Sequence, residues 1–348
     1  MTREVTFTAP GIATVSHLPR HPLGPDEVRL RTLFTGISAG TELTAYRGTN
    51  PYLSRRWDEE RRLFVDGTAS ASYPMAAWGY EEVGEVIELG SRVEGIEPGE
   101  RVWGAWGHRT DTVVKADWAA ARRLVTGADP RIGVFSKIGA IALNTVIDAD
   151  IHVGETVAVF GLGVVGQLAA QIARLNGGRV IAVDGIPARR ELAASLGADT
   201  VLDPADGSPA ERIRELTGGR GADVCLEVTG SYAALQEAIR AVAYNSRVCV
   251  AGFMQGGGLP LRLGEEFHHN RIELRSTQIS GVARSVQHRW DEYRLARTAV
   301  ELAAAGQLNV LDLITHTIPF AQAAEAYRLL DKHPQDVLQV ILETTEEN

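Results

Sequence analysis

The chemistry-bearing run with the firmest context is Gly161-Leu162-Gly163-Val164-Val165-Gly166. An apolar run at 157–160 leads into it, a helical pattern over 165–175 leaves it, and a second apolar run ends at Asp184. Set between strand and helix, this spacing suits the pyrophosphate of a dinucleotide. The first glycine permits the tight turn, the second lets the backbone approach the phosphates, and the third lets helix pack closely on strand; the helix N-terminus faces the negative charge. Asp184 lies 18 residues past the last glycine, near the spacing at which a carboxylate receives a ribose hydroxyl pair, and it would repel a 2′-phosphate. NAD is therefore favoured over NADP, although Arg189 and Arg190 stand near enough in the chain to offer charge to such a phosphate. Thr229-Gly230 and Ala251-Gly252-Phe253 end two later strands, at the carboxyl edge where open α/β sheets hold ligands, and are expected as second-rank cofactor contacts.

The elements that must position these residues fall into two patterns. With 348 residues the chain exceeds the size at which one hydrophobic core keeps growing, so two domains are expected. Between residues 27 and 124, β-rich runs (28–34, 82–89, 101–106, 110–115) alternate with turns such as Glu97-Pro98-Gly99-Glu100, where Pro presets one turn dihedral and Gly tolerates the next. From about Ser136 strands alternate with helices: strands at 156–160, 179–184, 200–203, 223–228 and 247–253, helices at 165–175, 188–196 and 232–242. That alternation predicts an α/β domain with a doubly wound parallel sheet. A β-rich run at 272–280, a helix at 291–305, helical spacing at 319–330 and a last strand at 337–342 follow. The charge-alternating run 54–62 reads as an exposed loop or a short solvated helix.

Composition narrows the function classes. A net charge of −9 disfavours nucleic acid and anionic membrane surfaces as partners. The N-terminus lacks the apolar core of a signal peptide and no segment has 18 uninterrupted apolar residues, so a cytoplasmic protein is expected. The two cysteines, Cys225 and Cys249, sit inside apolar strand-like runs and read as core residues rather than a disulfide framework.

Three further stretches carry a family resemblance over nearly the whole chain. Gly36-Ile37-Ser38-Ala39-Gly40-Thr41-Glu42, Gly79-Tyr80-Glu81-Glu82-Val83-Gly84 and Gly99-Glu100-Arg101-Val102 resemble the Gly-Ile-Cys-Gly-Thr-Asp, Gly-His-Glu-Phe-Ala-Gly and Gly-Asp-Arg-Val motifs of the medium-chain dehydrogenase/reductase superfamily. The resemblance implies a GroES-like β-rich catalytic domain built from both chain ends (1–125 and 283–348), a Rossmann domain over 126–282, and a homodimer joined through the run 272–280. The departures matter as much. Ser38 or Ala39 and Tyr80 stand where zinc-dependent members carry Cys and His ligands, and 103–124 lacks the four cysteines of the structural zinc lobe. A catalytic zinc needs three protein ligands, so no metal is expected; an irregular site from Glu81, Glu42 and His108 is the alternative. Among zinc-free branches the chain resembles the one containing bacteriochlorophyllide hydroxyethyl dehydrogenase.

Without a metal, a developing alkoxide needs a side-chain donor and a base. The resemblance places Tyr80 beside the nicotinamide, with its hydroxyl available to the substrate oxygen. His108 is the candidate base, because a pKa near 6.5 lets it shuttle a proton near neutrality. By position, Ser38 would relay a proton or hold the carbonyl, and Glu81 would orient a neighbour. The expected activity is zinc-independent hydride transfer between NAD(H) and a small secondary alcohol or ketone. Two readings compete. One is an NAD(P)H-dependent enoyl or quinone reductase, whose phosphate loop is usually looser; the other is a catalytically silent dinucleotide-binding protein, kept open by the lost zinc ligands.

Overall fold

The computed structural model describes residues 1–344. The chain divides into two compact units: Met1–Lys137 together with the chain from Ile314 onward, and Ile138–Leu313. The return to the first unit thus falls at Ile314 rather than at residue 283, and the helix Glu292–Ala304 belongs to the second unit. The reason is packing: the apolar face of that helix buries Leu295, Ala296, Ala299, Val300 and Ala303, and Ala299 meets Gly139 so closely that a Cβ on Gly139 would lie 2.7 Å from it. Residues 345–348, assigned by the sequence to the first domain, lie outside the described residues.

In the second unit six parallel strands follow the order Thr200–Leu202, Arg179–Val183, Thr156–Phe160, Ala222–Glu227, Val242–Val250, Glu273–Ser276. This is the Rossmann order, with the direction of winding reversing beside the central strand Thr156–Phe160. That strand is buried at every position, as expected for a parallel strand covered on both faces. Cys225 and Cys249 are buried and unbridged on neighbouring strands.

The first unit is β-rich. Its larger sheet places the C-terminal strands Ile314–Pro319 and Gln339–Glu343 beside Glu27–Gly36, then Glu82–Leu89 and Arg101–Gly104, with Asp111–Lys115 also pairing Glu27–Gly36. A second sheet pairs Thr2–Ala9 with Ile12–Leu18 and Met75–Ala76. The two chain ends share one core, in which Phe7, Tyr46, Phe320 and Tyr327 are buried, and this explains how a domain assembles around an inserted one. The turn at residues 97–100 closes with Glu100 N–H donating to the Glu97 carbonyl and Gly99 at φ +89, the positive φ that glycine tolerates.

Two local expectations differ from the structure. The run 54–62 is mostly turn, as an exposed loop would be, but Arg56–Asp58 within it pairs with Leu63–Val65 as a short antiparallel hairpin, with Phe64 packed against Trp57 and Tyr52 at ring-centroid distances of 4.9 and 5.4 Å. The helix Ala39–Arg47 inside the first motif was also unforeseen, although Ser38 before it and Gly48 after it, at φ +77, are ordinary start and stop residues. Among the described residues one helical run, Pro130–Ala149, is long and apolar enough to cross a membrane by composition, but 83% of its most apolar 18-residue window is buried within the protein.

Candidate active site

The chemistry of the first unit gathers at the start of the helix Ala39–Arg47. Ser38 is its N-cap residue, yet the Ser38 hydroxyl caps no backbone amide. Instead the Ser38 N–H donates to Glu42 Oε1 at 2.8 Å: a carboxylate one position beyond that of a capping box reaches back to the N-cap amide. The hydroxyl is left to pair with the Tyr80 hydroxyl. Tyr80 donates onward to Thr41 Oγ1 at 3.1 Å. Each hydroxyl has one proton, so with Tyr80 donating to Thr41 the Ser38–Tyr80 contact is made with the Ser38 proton, and the Glu81 carboxyl is the other hydrogen-bonding neighbour of the Ser38 hydroxyl. The result is an oriented chain from buried Ser38 through Tyr80 to partly exposed Thr41. Burial, and after it the charge of Glu81, push the Tyr80 phenol well above its ordinary pKa, so it stays a neutral hydroxyl.

Behind this chain lie three fully buried carboxylates, Glu42, Glu81 and Glu82, and a fully buried imidazole, His108. His108 Nε2 meets Glu42 Oε2 and its Nδ1 meets Thr35 Oγ1, each at 2.7 Å. Thr35 also donates to Glu82 Oε1 at 3.1 Å, and Trp106 N–H donates to Glu82 Oε2 at 2.7 Å. The Tyr327 hydroxyl, from the C-terminal helix Ala323–Lys332, donates to Glu42 Oε2. Desolvation would lower the His108 pKa, but Glu42 and then Glu82 more than offset it, and the net shift is upward. Burial pushes Glu82 up to about 7. Burial and the charges of Glu42 and Glu82 raise Glu81 well above the carboxylate range; Gln339 donates to Glu81 Oε2 at 3.3 Å, while Glu81 Oε1 has no hydrogen-bond partner.

The sequence placed Ser38, Tyr80, Glu81 and His108 together, and the fold does bring them into one neighbourhood. It also separates them into layers. His108, expected as the base, has no exposed surface and both ring nitrogens are occupied, so it stands behind the hydroxyls. Thr41, Thr35, Glu82 and Tyr327 were not foreseen. Tyr327 lies 285 residues from its partner, beyond any local signal; Thr41 and Glu42 would have followed from recognising the helix.

A zinc ion does not fit the positions the family uses for it. Ser38 and Tyr80 offer neutral hydroxyls where thiolate and imidazole would be needed, and among the described residues no group of three or more His, Cys, Asp or Glu side chains is arranged to hold a metal.

The second unit carries the dinucleotide features. Gly161 follows the central strand at φ +95, and a Cβ there would lie 2.6 Å from Thr229 Cγ2. A Cβ on Gly166 would overlap the Gly161 carbonyl oxygen, whereas one on Gly163 would meet nothing within 4 Å. The three glycines therefore serve turn, open approach and helix-strand packing, in that order. Leu162 N–H is tied to Asp184, and Val164 and Val165 open the helix Val164–Leu175, whose N-cap Gly163 supplies no side-chain acceptor. Its first amide groups are left for an anion. Asp184 Oδ2 accepts from Leu162 N–H at 2.7 Å and Oδ1 from Ile186 N–H at 2.8 Å, which leaves each oxygen one further acceptor site for a ribose hydroxyl. Arg189 lies 3.9 Å from Asp184 Oδ2, and Arg190 is committed to the Asp184 carbonyl at 2.7 Å and to Asp203 at 2.6 Å.

Thr229, Gly230, Ala251, Gly252 and Phe253 come together where strands Ala222–Glu227 and Val242–Val250 end. Their organiser is a residue the sequence reading passed over, Glu227. It is fully buried; its Oε1 accepts from Thr229 N–H at 2.7 Å and from the Thr229 hydroxyl, and its carbonyl accepts from Ala251 N–H at 2.9 Å and Gly252 N–H at 3.1 Å. Gly252 is obligatory beside it, since a Cβ there would lie 2.2 Å from the Gly230 backbone nitrogen and 2.7 Å from Glu227 Oε2.

Comparison with known proteins agrees with this architecture. Residues 164–299 match the family model described as zinc-binding dehydrogenase. D-guloside 3-dehydrogenases from Shigella flexneri and Escherichia coli K12 are each 30% identical over 346 residues, covering 97% of this chain and 99% of theirs. L-threonine 3-dehydrogenase from Pyrococcus horikoshii is 28% identical over 342 residues, covering 88% of each chain. The solved structure of 2R,3R-butanediol dehydrogenase from Bacillus subtilis superposes with a TM-score of 0.79 at 19% identity, over 99% of this chain and all of that one, a likeness of fold. By these relatives and the matched model, the chain belongs to the zinc-binding dehydrogenase family of the medium-chain dehydrogenase/reductase superfamily.

Proposed function

We propose that this protein is an NAD-dependent dehydrogenase of secondary hydroxyls on small polar substrates, sugar derivatives foremost, and that it works with side-chain hydroxyls in place of a catalytic metal. Oxidoreductase chemistry on alcohols follows from the family and from relatives named for dehydrogenation at position 3 of D-guloside and of L-threonine. The observation that carries the metal-free part is the oriented chain Ser38–Tyr80–Thr41.

NAD, when bound, supplies the hydride acceptor; the chain's own residues handle the proton. Ser38 Oγ, whose single proton is directed to Tyr80, has lone pairs to receive the proton of a substrate hydroxyl. As that proton arrives, Ser38 passes its own to Tyr80, and Tyr80 passes its own to Thr41, which meets solvent. No hydroxyl in the sequence has to become an anion, which matters because burial disfavours a phenolate at Tyr80. In the reverse direction the same chain delivers a proton to a carbonyl oxygen.

The Asp184 carboxylate supports NAD over NADP, since a 2′-phosphate would be set against a carboxylate, and the arginines that would have to compensate are engaged with Asp184 and Asp203. The same loop order, Gly-x-Gly-x-x-Gly with an acidic strand end, disfavours the enoyl or quinone reductase reading. A narrower membership in the branch containing bacteriochlorophyllide hydroxyethyl dehydrogenase is not needed here.

The test is Tyr80→Phe on protein assayed for zinc. The variant is expected to lose at least about tenfold in kcat with NADH affinity within about twofold, and chelator-treated wild type is expected to keep its rate. Stoichiometric zinc required for activity, or a fully active Tyr80→Phe, would overturn the metal-free mechanism. Tight NADH binding without turnover of any alcohol or ketone in a broad panel would favour the silent binding protein.

A further inference from the structure

The buried layer behind the hydroxyl chain is elaborate for a purely structural cluster. It gathers three carboxylates, an imidazole and a phenol, all without exposed surface, where apolar side chains of similar volume would avoid the desolvation cost. Hydrogen-bond geometry shows what it holds in place.

Glu42 accepts at both oxygens: Oε1 from Ser38 N–H at 2.8 Å, Oε2 from the Tyr327 hydroxyl and from His108 Nε2 at 2.7 Å. Ser38 N–H and the Tyr327 hydroxyl both spend a proton on Glu42, so the carboxylate presents acceptor oxygens to the ring, and the 2.7 Å contact with Oε2 needs a hydrogen on His108 Nε2. The Nδ1 side has two consistent arrangements. In one, Nδ1–H donates to Thr35, and Thr35 donates to Glu82. In the other, a protonated Glu82 donates to Thr35, and Thr35 donates to a neutral Nδ1. One proton is thus shared between His108 and Glu82 across Thr35, and in both arrangements Nε2–H still points at Glu42. The groups facing His108 are Glu42 from the helix Ala39–Arg47, Thr35 from the strand Glu27–Gly36, Glu82 from Glu82–Leu89 and the Tyr327 ring at 6.3 Å from Ala323–Lys332.

We propose that His108 and Tyr327 are positioning residues: together they lock Glu42 onto the Ser38 amide, and this frees the Ser38 hydroxyl from N-cap duty for the proton chain to Tyr80. The inference rests on the proposed Ser38–Tyr80–Thr41 mechanism and deepens it. It reverses the role expected of His108. A base must give up its proton at the nitrogen that meets the substrate, and this ring keeps one nitrogen protonated and has the other bridged to Glu82. Without Tyr327 or His108, Glu42 would relax from the amide, and Ser38 would be drawn back to the ordinary N-cap geometry in which its hydroxyl accepts from the helix.

Three measurements test it on the full-length protein. The first is nitrogen-15 NMR of the His108 ring in the wild type between pH 6 and 9. A protonated Nε2 throughout is expected; an Nε2 that loses its proton in that range would overturn the inference. Because this reading uses no activity, it remains decisive even if Tyr80→Phe proves fully active and the hydroxyl mechanism falls. The second is Tyr327→Phe, which removes one hydroxyl from the core. It is expected to lower kcat at least fivefold, to leave NADH affinity within twofold, and to spare the ionisations in the pH-rate profile; a wild-type kcat would count against the lock. The third is His108→Asn. Its pH-rate profile should keep the wild-type ionisations at a lower plateau, whereas disappearance of a limb would restore His108 as the base.

Discussion

Gly163→Ala separates cofactor binding from folding. Gly163 has φ −64 and ψ −176, a conformation open to any residue, and a Cβ there meets no protein atom within 4 Å. Alanine at an N-cap costs a few tenths to about 1 kcal/mol relative to glycine, and removing glycine's freedom in the unfolded chain returns about 0.4–1 kcal/mol. The two nearly cancel, so the Tm of the free protein should move by no more than about 3 °C. The new methyl would occupy the open space over the helix N-terminus that the pyrophosphate is expected to fill. Losing one charge-assisted amide hydrogen bond costs about 1.5–3 kcal/mol, so NADH affinity should fall roughly 10- to 150-fold. Thermal unfolding of the free protein, with NADH titration followed by energy transfer from tryptophan, measures both quantities. A Gly163→Ala variant that binds NADH like wild type would refute the placement of the pyrophosphate on this loop. Gly166→Ala is the contrasting control, because its Cβ would overlap the Gly161 carbonyl oxygen and the second unit itself should be destabilised.

Other outcomes follow from the same geometry. Glu81 has a raised pKa and an oxygen without a partner. The folded state therefore holds its proton to higher pH than the unfolded chain, and stability declines as pH climbs above the ordinary carboxylate range. Glu81→Gln should flatten that decline and raise Tm at pH 8 but not at pH 5; equal effects at both pH values would contradict a neutral Glu81 in the fold. Glu227→Gln replaces the charge-assisted acceptor of Thr229 with a weaker one, which should reduce NADH affinity about three- to tenfold; unchanged affinity would remove Glu227 as organiser of that turn. Asp184→Ala should narrow the preference for NADH over NADPH, read as the ratio of the two dissociation constants. The strand Glu273–Ser276 lies at the end of its sheet, and a homodimer paired through it should appear as a doubled mass in solution at micromolar concentration; a monomer would end that proposal.

The sequence by itself determined the central strands and the glycine loop of the second unit, but not where that unit ends: the helix Glu292–Ala304 was read into the first domain and packs in the second. A parallel sheet covered on both faces demands continuous apolar strands, so 156–160 could be read residue by residue, and the glycine loop carries much of its own steric logic: the positive φ of Gly161 and the contact of Gly166 with the Gly161 carbonyl are local to the turn, whereas the crowding of Gly161 by Thr229 comes from another strand end. The ends of the later strands were less legible. Glu227 looked like an ordinary strand residue until the fold set its carboxylate beneath Thr229 and against Gly252.

Tertiary structure alone decided the layering of the candidate site in the first unit. Motif positions put Ser38, Tyr80, Glu81 and His108 in one neighbourhood, but only the fold showed which side chains face outward and which are sealed. His108 has the residue type of a base, yet the sheet and the C-terminal helix enclose it, and Tyr327 reaches Glu42 from the far end of the chain. Side-chain type is local, whereas burial and hydrogen-bond partners depend on contacts between segments hundreds of residues apart. For that reason the sequence supplied the chemical inventory of this site, and the roles proposed for its members rest on packing.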